Sequence, residues 1–218
     1  MKKINIAIDG PSGVGKSTIS DRIAEKLNMR HLDTGAMYRC VAYYVKKNHV
    51  DYENKQALQE ALDQIHIRFD GDRVLLNGED VSQAIRMNEV SMMASITSAL
   101  PEVRQKLVSL QQEAVKDKGF IVDGRDICSV VLPDAEVKLY MDATPEARAG
   151  RRYKEYIKKG IEADYETIFQ DIVARDYQDT HRAISPLKKA DDAILVDTSD
   201  LTIDEVVETV LDIIDKEI

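Results

Sequence analysis

No uninterrupted apolar run in this sequence approaches the roughly 18 residues that a membrane-spanning helix needs. Met1-Lys2-Lys3-Ile4 leads straight into a strand-like segment, without the apolar stretch and small-residue cleavage site of a secretory leader. The expectation is a cytoplasmic protein that does not engage a membrane. Cysteine is scarce. Cys40 and Cys128 have no CxxC spacing and no histidines at zinc-ligand distance, so each reads as a buried free thiol. The four histidines, His31, His49, His66 and His181, are scattered, which excludes a metal centre built from imidazoles. Excess positive charge is also missing: 30 basic against 39 acidic side chains leave a formal charge of -9. Wrapping a polynucleotide requires a basic surface, so nucleic acid is not the expected partner. A small anionic ligand stays open, because a local cluster can be positive on a negative protein. Internal repeats and low-complexity tracts are absent as well.

The 218 residues suffice for one well-filled core with a small inserted subdomain, and the 44% hydrophobic and 32% charged fractions are those of a globular chain. Ile4–Ile8 reads as an apolar strand that ends in an Asp9-Gly10 turn. Ile19, Ile23, Ala24 and Leu27 follow at helical spacing. A short strand at 30–32 and a helix from about Ala36 to Lys47 continue this α/β rhythm. The middle differs: Ile65-His66-Ile67-Arg68-Phe69 alternates, Asp70-Gly71-Asp72 turns, and Val74-Leu75-Leu76 runs into Asn77-Gly78, a hairpin signal. This predicts a small antiparallel insertion at roughly 63–90. The α/β rhythm then returns. A helix opens at Pro101 with Val103, Leu107, Leu110 and Ala114 on one face, and a strand at 120–122 runs into Asp123-Gly124-Arg125-Asp126. Strands follow at 137–141 and 193–196. Thr144-Pro145-Glu146 opens one helix, and Thr202 with Glu205 has the capping-box spacing for the last, whose stripe is Val206, Val210 and Ile213 or Ile214.

Gly10-Pro11-Ser12-Gly13-Val14-Gly15-Lys16-Ser17 matches the phosphate-loop pattern G-x-x-x-x-G-K-[ST] without a departure, between a predicted strand and a predicted helix. Glycines let successive N–H groups turn inward towards phosphate oxygens, and the helix adds its N-terminal dipole. Residues 10–17 with Thr18 are therefore the expected ATP site. Lys16 would reach the β- and γ-phosphates, and Ser17 would be the metal-ligating hydroxyl for Mg²⁺.

A phosphate loop does not say what receives the phosphate. The chain lacks the N/T-K-x-D element that reads guanine (Asn54-Lys55-Gln56-Ala57 has no acidic residue at its end) and any LSGGQ-like transport signature. Arginines stand instead in short loops, where a guanidinium suits a second phosphate. Arg39 closes Asp33-Thr34-Gly35-Ala36-Met37-Tyr38-Arg39, where Thr34 and Tyr38 offer hydroxyls. Arg125 and Asp126 lie just past a predicted parallel strand, on the edge that faces the ligand crevice of an open sheet. Arg175, Asp176, Asp179 and Arg182 suit a surface ion-pair network as well as an anion clamp.

With I-D-G-P-S-G-V-G-K-S, D-T-G-A-M-Y-R, D-G-R-D and H-R-A-I-S-P in this order, the sequence resembles the bacterial cytidylate kinases, of the nucleoside monophosphate kinase family of P-loop kinases. The resemblance covers essentially the whole chain. The first motif is shared by many P-loop kinases; the middle pair, with a β-meander between them, is far more specific. It implies a single three-layer α/β P-loop kinase domain over 1–218, with a five-stranded parallel sheet, a monophosphate-binding insertion and a lid at about 148–165. It implies ATP-dependent, Mg²⁺-assisted phosphorylation of CMP and dCMP by a monomer. Arg39, Arg125 and Arg182 would hold the acceptor phosphate. Asp126, helped by Ser95 and Arg104, would read the base, since a carboxylate accepts from the cytosine N4 amine and opposes the uracil carbonyl. Arg175 and Asp179 would lie near the ribose. In the basic stretch Arg148, Arg151, Arg152, Lys154, Lys158 and Lys159, a solvated helix face competes with a lid. Arg148 and Arg152 are preferred as phosphate-neutralising residues, with Arg151 the substitute if the helix phase differs. Catalytic roles then fall to Lys16, Arg125, Arg148 and Arg152.

One departure is Cys128-Ser129, where the family usually has Gly-Thr. Cysteine replaces glycine there only if φ stays negative, and a thiol beside a phosphate site has the setting of a reactive one. Competing readings are a kinase for UMP, shikimate or a coenzyme precursor, and a non-catalytic nucleotide switch.

Overall fold

The computed structural model describes residues 3–71 and 73–218; Asp72, part of the first turn expected in the meander, lies outside them. The chain begins with β1 (Asn5–Asp9), α1 (Lys16–Leu27) and β2 (Arg30–Asp33). It continues through α2 (Thr34–Lys47), α3 (Lys55–Asp63), β3 (Ile67–Asp70), β4 (Arg73–Leu76), β5 (Glu79–Asp80), α4 (Asn88–Thr97) and α5 (Pro101–Val115). It closes with β6 (Phe120–Gly124), β7 (Val137–Asp142), α6 (Pro145–Lys158), α7 (Tyr165–His181), β8 (Ile194–Asp197) and α8 (Ile203–Glu217). Two compact units result: residues up to Leu32 together with Val115–Ile218, and Asp33–Ala114.

The first unit is built on a five-stranded sheet in the order β2-β6-β1-β7-β8. β1 pairs in parallel with β6 and β7, and β7 with β8. As the central strand, β1 is buried along its whole length, which explains apolar Ile6-Ala7-Ile8 between two buried polar ends, Asn5 and Asp9. Ile6, Ile8, Ile121, Leu139 and Met141 form the core with Ile19 and Ile23 of α1 and Val206, Val207, Val210 and Ile214 of α8. The α8 stripe thus resolves on Ile214 rather than Ile213. Thr202 and Glu205 make the expected reciprocal capping box.

One polar residue organises this core. Asp9, at the end of β1, accepts hydrogen bonds from Ile127 N (2.8 Å) and Cys128 N (2.9 Å), the opening of a π-helical turn at Ile127–Val131. Burial raises the Asp9 carboxyl from 3.8 to about 6, against the pull of the two amides. Asp9→Ala should destabilise the protein by about 2–4 kcal/mol in denaturant unfolding, because it orphans two buried N–H groups. The pH dependence follows from the same shift. Between pH 3.8 and about 6 the native state holds a proton that the unfolded chain has lost. This contribution is therefore fully present below about pH 4 and declines as pH rises through 6. Asp9→Asn should flatten that part of the stability–pH curve.

In the second unit β3, β4 and β5 form the expected antiparallel meander. Asn77 and Gly78 both adopt positive φ, 52° and 86°, as a primed hairpin turn requires. α2 begins two residues earlier than its apolar pattern predicts, because Asp33 caps it: Oδ1 accepts from Ala36 N at 2.8 Å. The buried face of α5 agrees with the expected one in its first half and departs from it in the second. Val103, Arg104, Leu107, Gln111 and Val115 are buried, while Leu110 and Ala114 are exposed. Val103 and Leu107 are as expected, but the buried positions then continue every four residues through polar Gln111, which hydrophobicity alone does not trace.

Candidate functional site

The loop between β1 and α1 is shaped by glycine. Gly10 has φ 151°, and a Cβ there would lie 2.0 Å from the Met141 carbonyl oxygen of β7. No other residue lets the loop pass so close to the sheet. Gly13 and Gly15 on the loop and Thr18 in the first turn of α1 are exposed, whereas Lys16 is buried. Lys16 Nζ donates to Gly10 O and Pro11 O, each at 2.8 Å. Burial, with the Arg125 charge beside it, lowers the ammonium to about 7, against Asp123, Asp9 and Asp179. The phosphate-loop lysine thus shares its surroundings with Arg125.

Ser17 Oγ donates to Asp123 Oδ2 at 3.1 Å. The other Asp123 oxygen faces His31 Nε2 at 2.7 Å, and His31 Nδ1 faces Asp21 Oδ1 at 2.6 Å. Burial alone would lower the His31 pKa, but hydrogen bonds and charge from Asp123 and Asp21 overturn that and lift it to about 10. Neither Asp123 nor His31 is among the site residues that the sequence motifs point to. For Asp123 the signal was there, since it opens D-G-R-D at the carboxyl end of β6; for His31 there was none.

Arg125 Nε donates to Asp179 Oδ2 at 2.8 Å, which ties the loop after β6 to α7. Asp179 is only 5% exposed, so this is no surface ion pair. Burial pushes its carboxyl upward, but Arg125, Arg175 and Arg182 together hold it below the usual range. Asp126 is buried, with its Oδ1 3.8 Å from the Arg182 guanidinium, and Arg182 Nε donates to Ser185 O at 2.8 Å. Lys16, Arg125, Asp126, Arg175, Asp179 and Arg182 are therefore one electrostatic cluster within the first unit.

On α6 the three arginines diverge. Arg148, expected to neutralise phosphate, is 3% exposed and donates to Asp176, Ser12 O and Ala143 O. Arg152 reaches Ser12 Oγ at 3.3 Å, and Arg151 binds Thr198 instead. Cys128 keeps φ negative, and its thiol is buried against Ala7 O and Leu139 O, each 3.6 Å from Sγ. Burial and the Asp9 charge push its pKa far above that of a free thiol, which is the opposite of a reactive cysteine. Alkylation of the native protein by iodoacetamide should therefore leave Cys128 unmodified on the timescale that consumes free thiol, checked by mass spectrometry. Cys40, likewise buried, is pushed up to about 12.

The second unit carries the remaining candidates. Arg39 bonds Asp33 Oδ2 at 2.8 Å, so Asp33 both caps α2 and orients Arg39. A Cβ on Gly35 would lie 3.0 Å from side-chain atoms of both partners, so any larger residue there would crowd this pair. Arg104 lies over the Tyr38 ring at 5.8 Å and donates to Ser98 O. Thr34 is buried, and Ser95, half-buried on α4, accepts from Ser98 Oγ through its carbonyl.

Comparison with known proteins agrees with this arrangement. Shikimate kinase from Bacteroides thetaiotaomicron superposes with a TM-score of 0.52 over 98% of this chain and 99% of its own, at 13% identity. An uncharacterized protein from Eubacterium ventriosum gives 0.53 over 99% of both chains, at 14% identity. At such identities the likeness concerns the fold alone, the P-loop kinase fold. In sequence, cytidylate kinases from Streptococcus pneumoniae strains 70585 and Hungary19A-6 are each 51% identical, over 96% of both chains. The family profile described as Cytidylate kinase matches residues 6–216. With a phosphate loop, a buried arginine–carboxylate cluster beside it and relatives matched nearly end to end, the chain belongs to the cytidylate kinase family of phosphotransferases.

Proposed function

We propose that this protein transfers the γ-phosphoryl group of ATP to CMP and dCMP, yielding CDP and dCDP. The observation that carries the reading is the pairing of Asp9 with Gly124 across β1 and β6, which sets Arg125 and the phosphate loop that holds Lys16 at the same end of neighbouring strands. Cations at that spot draw two anionic phosphates together, and alignment of donor and acceptor is most of the work of phosphoryl transfer. Residues 10–18 cradle ATP. Arg125 and Arg182 take the acceptor phosphate, Asp126 accepts from the cytosine N4 amine, and Arg175 and Asp179 sit towards the ribose. The part of Thr34, Tyr38, Arg39, Ser95 and Arg104 in holding CMP rests on the sequence motif. Arg152, at the phosphate loop through Ser12, is the lid residue placed to neutralise charge in transfer. Closure of a lid at about 148–165 would keep water from the donor.

The acceptor phosphate is already ionised, so no protein general base is needed. Among the described residues no group of three or more His, Cys, Asp or Glu side chains could hold a metal alone. Ser17 Oγ and Asp123 Oδ2, 3.1 Å apart, are hard oxygen donors that fit Mg²⁺ carried in with the nucleotide. When bound there, the ion neutralises charge on the β- and γ-phosphates. No helix of the described residues is long and apolar enough to cross a membrane, and a cytoplasmic monomer goes with this reading.

The test is ADP formation from ATP and Mg²⁺ with CMP, dCMP, UMP, AMP or GMP supplied singly. CMP and dCMP should stimulate strongly, with UMP behind by the roughly 1–3 kcal/mol that one base contact discriminates. Asp126→Asn should narrow the gap between CMP and UMP. No stimulation by any nucleotide would defeat the acceptor assignment and favour another acceptor.

A further inference from the structure

Arg148 does not have the surroundings of a group waiting for a phosphate. Its Nε donates to Ala143 O at 2.9 Å, and one terminal nitrogen donates to Ser12 O at 3.2 Å and Asp176 Oδ1 at 2.9 Å. The other terminal nitrogen donates to Asp176 Oδ2 at 2.5 Å. Four of the five N–H groups of a guanidinium are thus committed, in a site where Arg148 is 3% exposed. To turn towards a nucleotide it would have to abandon a bidentate, partly buried ion pair.

What this arrangement does hold is the phosphate loop. Ser12 O belongs to the Ser12–Gly13 peptide, which is planar and trans, so fixing the direction of the carbonyl fixes the Gly13 N–H pointing the opposite way. The Arg148 stem packs there too: a Cβ on Gly13 would meet Arg148 Cβ at 3.5 Å. The orientation of a loop amide is therefore set from α6, and α6 is set in turn by Asp176 on α7. One turn further along α7, Asp179 holds Arg125.

We propose that Asp176 is a positioning residue for the donor phosphates, acting through Arg148 on the Ser12–Gly13 peptide and never touching the nucleotide. This rests on the reading of residues 10–18 as the ATP site. The mechanical consequence is direct: a loop whose amides are held in place before binding loses less freedom when it closes on an anion.

The test is a double-mutant cycle on the full-length protein, with affinities for AMP-PNP and for CMP measured separately by calorimetry. Asp176→Asn and Arg148→Met should each weaken AMP-PNP binding about tenfold and change CMP affinity much less. In the Arg148→Met background, Asp176→Asn should add nothing, because its route to the loop is gone. Removing one partner leaves the other charge unpaired, so Arg148→Met/Asp176→Leu, which removes both, is measured alongside and covers a single variant that does not fold. It should fold and still bind AMP-PNP about tenfold more weakly. Wild-type AMP-PNP affinity in that variant would overturn the proposal. So would additive effects in the cycle, or parallel losses for AMP-PNP and CMP that track the melting temperature. If the wild type binds AMP-PNP but not CMP, the acceptor reading fails while this one is still decided by the cycle. If the wild type binds no AMP-PNP, both fail.

Discussion

Lys16→Met should lower turnover by on the order of 10²–10³-fold while leaving the protein folded. The methionine keeps the aliphatic stem in its buried slot and removes only the ammonium, whose present partners are the Gly10 and Pro11 carbonyls of its own loop. Those two oxygens are the ones that Lys16 would exchange for phosphate oxygens. The loss should therefore fall on kcat more than on ATP affinity, since backbone amides do much of the binding. Steady-state kinetics with ATP and CMP, an AMP-PNP titration and a thermal melt separate these effects. Turnover equal to that of the wild type would remove Lys16 from the reaction.

Arg125→Ala is the second large effect. Turnover with CMP should fall by about 10³-fold, the scale on which arginines act in phosphoryl transfer, with AMP-PNP affinity nearly retained. Unchanged turnover would sink the acceptor site. A structural consequence accompanies the kinetic one. Burial raises the Asp179 pKa and three arginines outweigh it, so the folded value lies below the ordinary carboxylate range. A depressed carboxylate contributes stability above its unfolded pKa and loses it as pH falls through the folded one. Without Arg125 that contribution shrinks, and acid unfolding should begin at a higher pH than in the wild type. Circular dichroism across an acid titration measures this directly. An unchanged acid midpoint would mean that Arg175 and Arg182 alone hold Asp179 ionised.

The local chemistry of this protein was legible along the chain wherever the cause of a feature is itself local. The phosphate loop, the Asn77-Gly78 hairpin, the Thr202 capping box and the central strand all depend on neighbours a few residues apart, and periodicity or turn chemistry reports them. Arg125 and Asp126 could be placed at the ligand edge because they follow a buried strand. The crowding at Gly35 could not be read that way: it comes from the close approach of the Asp33 and Arg39 side chains.

Tertiary structure alone decided which charges face which. Asp179 could serve as a solvated surface group or as the anchor of Arg125, and only the packing of α7 against the loop after β6 makes it the second. Among the lid candidates the sequence ranks Arg148 and Arg152 ahead of Arg151, and a helix rotates successive residues by about 100°. One therefore meets Asp176 and Ser12 O, one meets Thr198, and one meets Ser12 Oγ. Cys128 had the neighbours of a reactive thiol in sequence and the surroundings of an inert one in space. In each case the residue type was visible from the start, while its partner stood tens to more than a hundred positions away. Sequence by itself determined the kinds of groups available and the edge of the sheet where they gather. The pairing of those groups, and with it which arginine meets Asp179 and which meets Asp176 and the phosphate loop, depends on distances that only the folded chain sets.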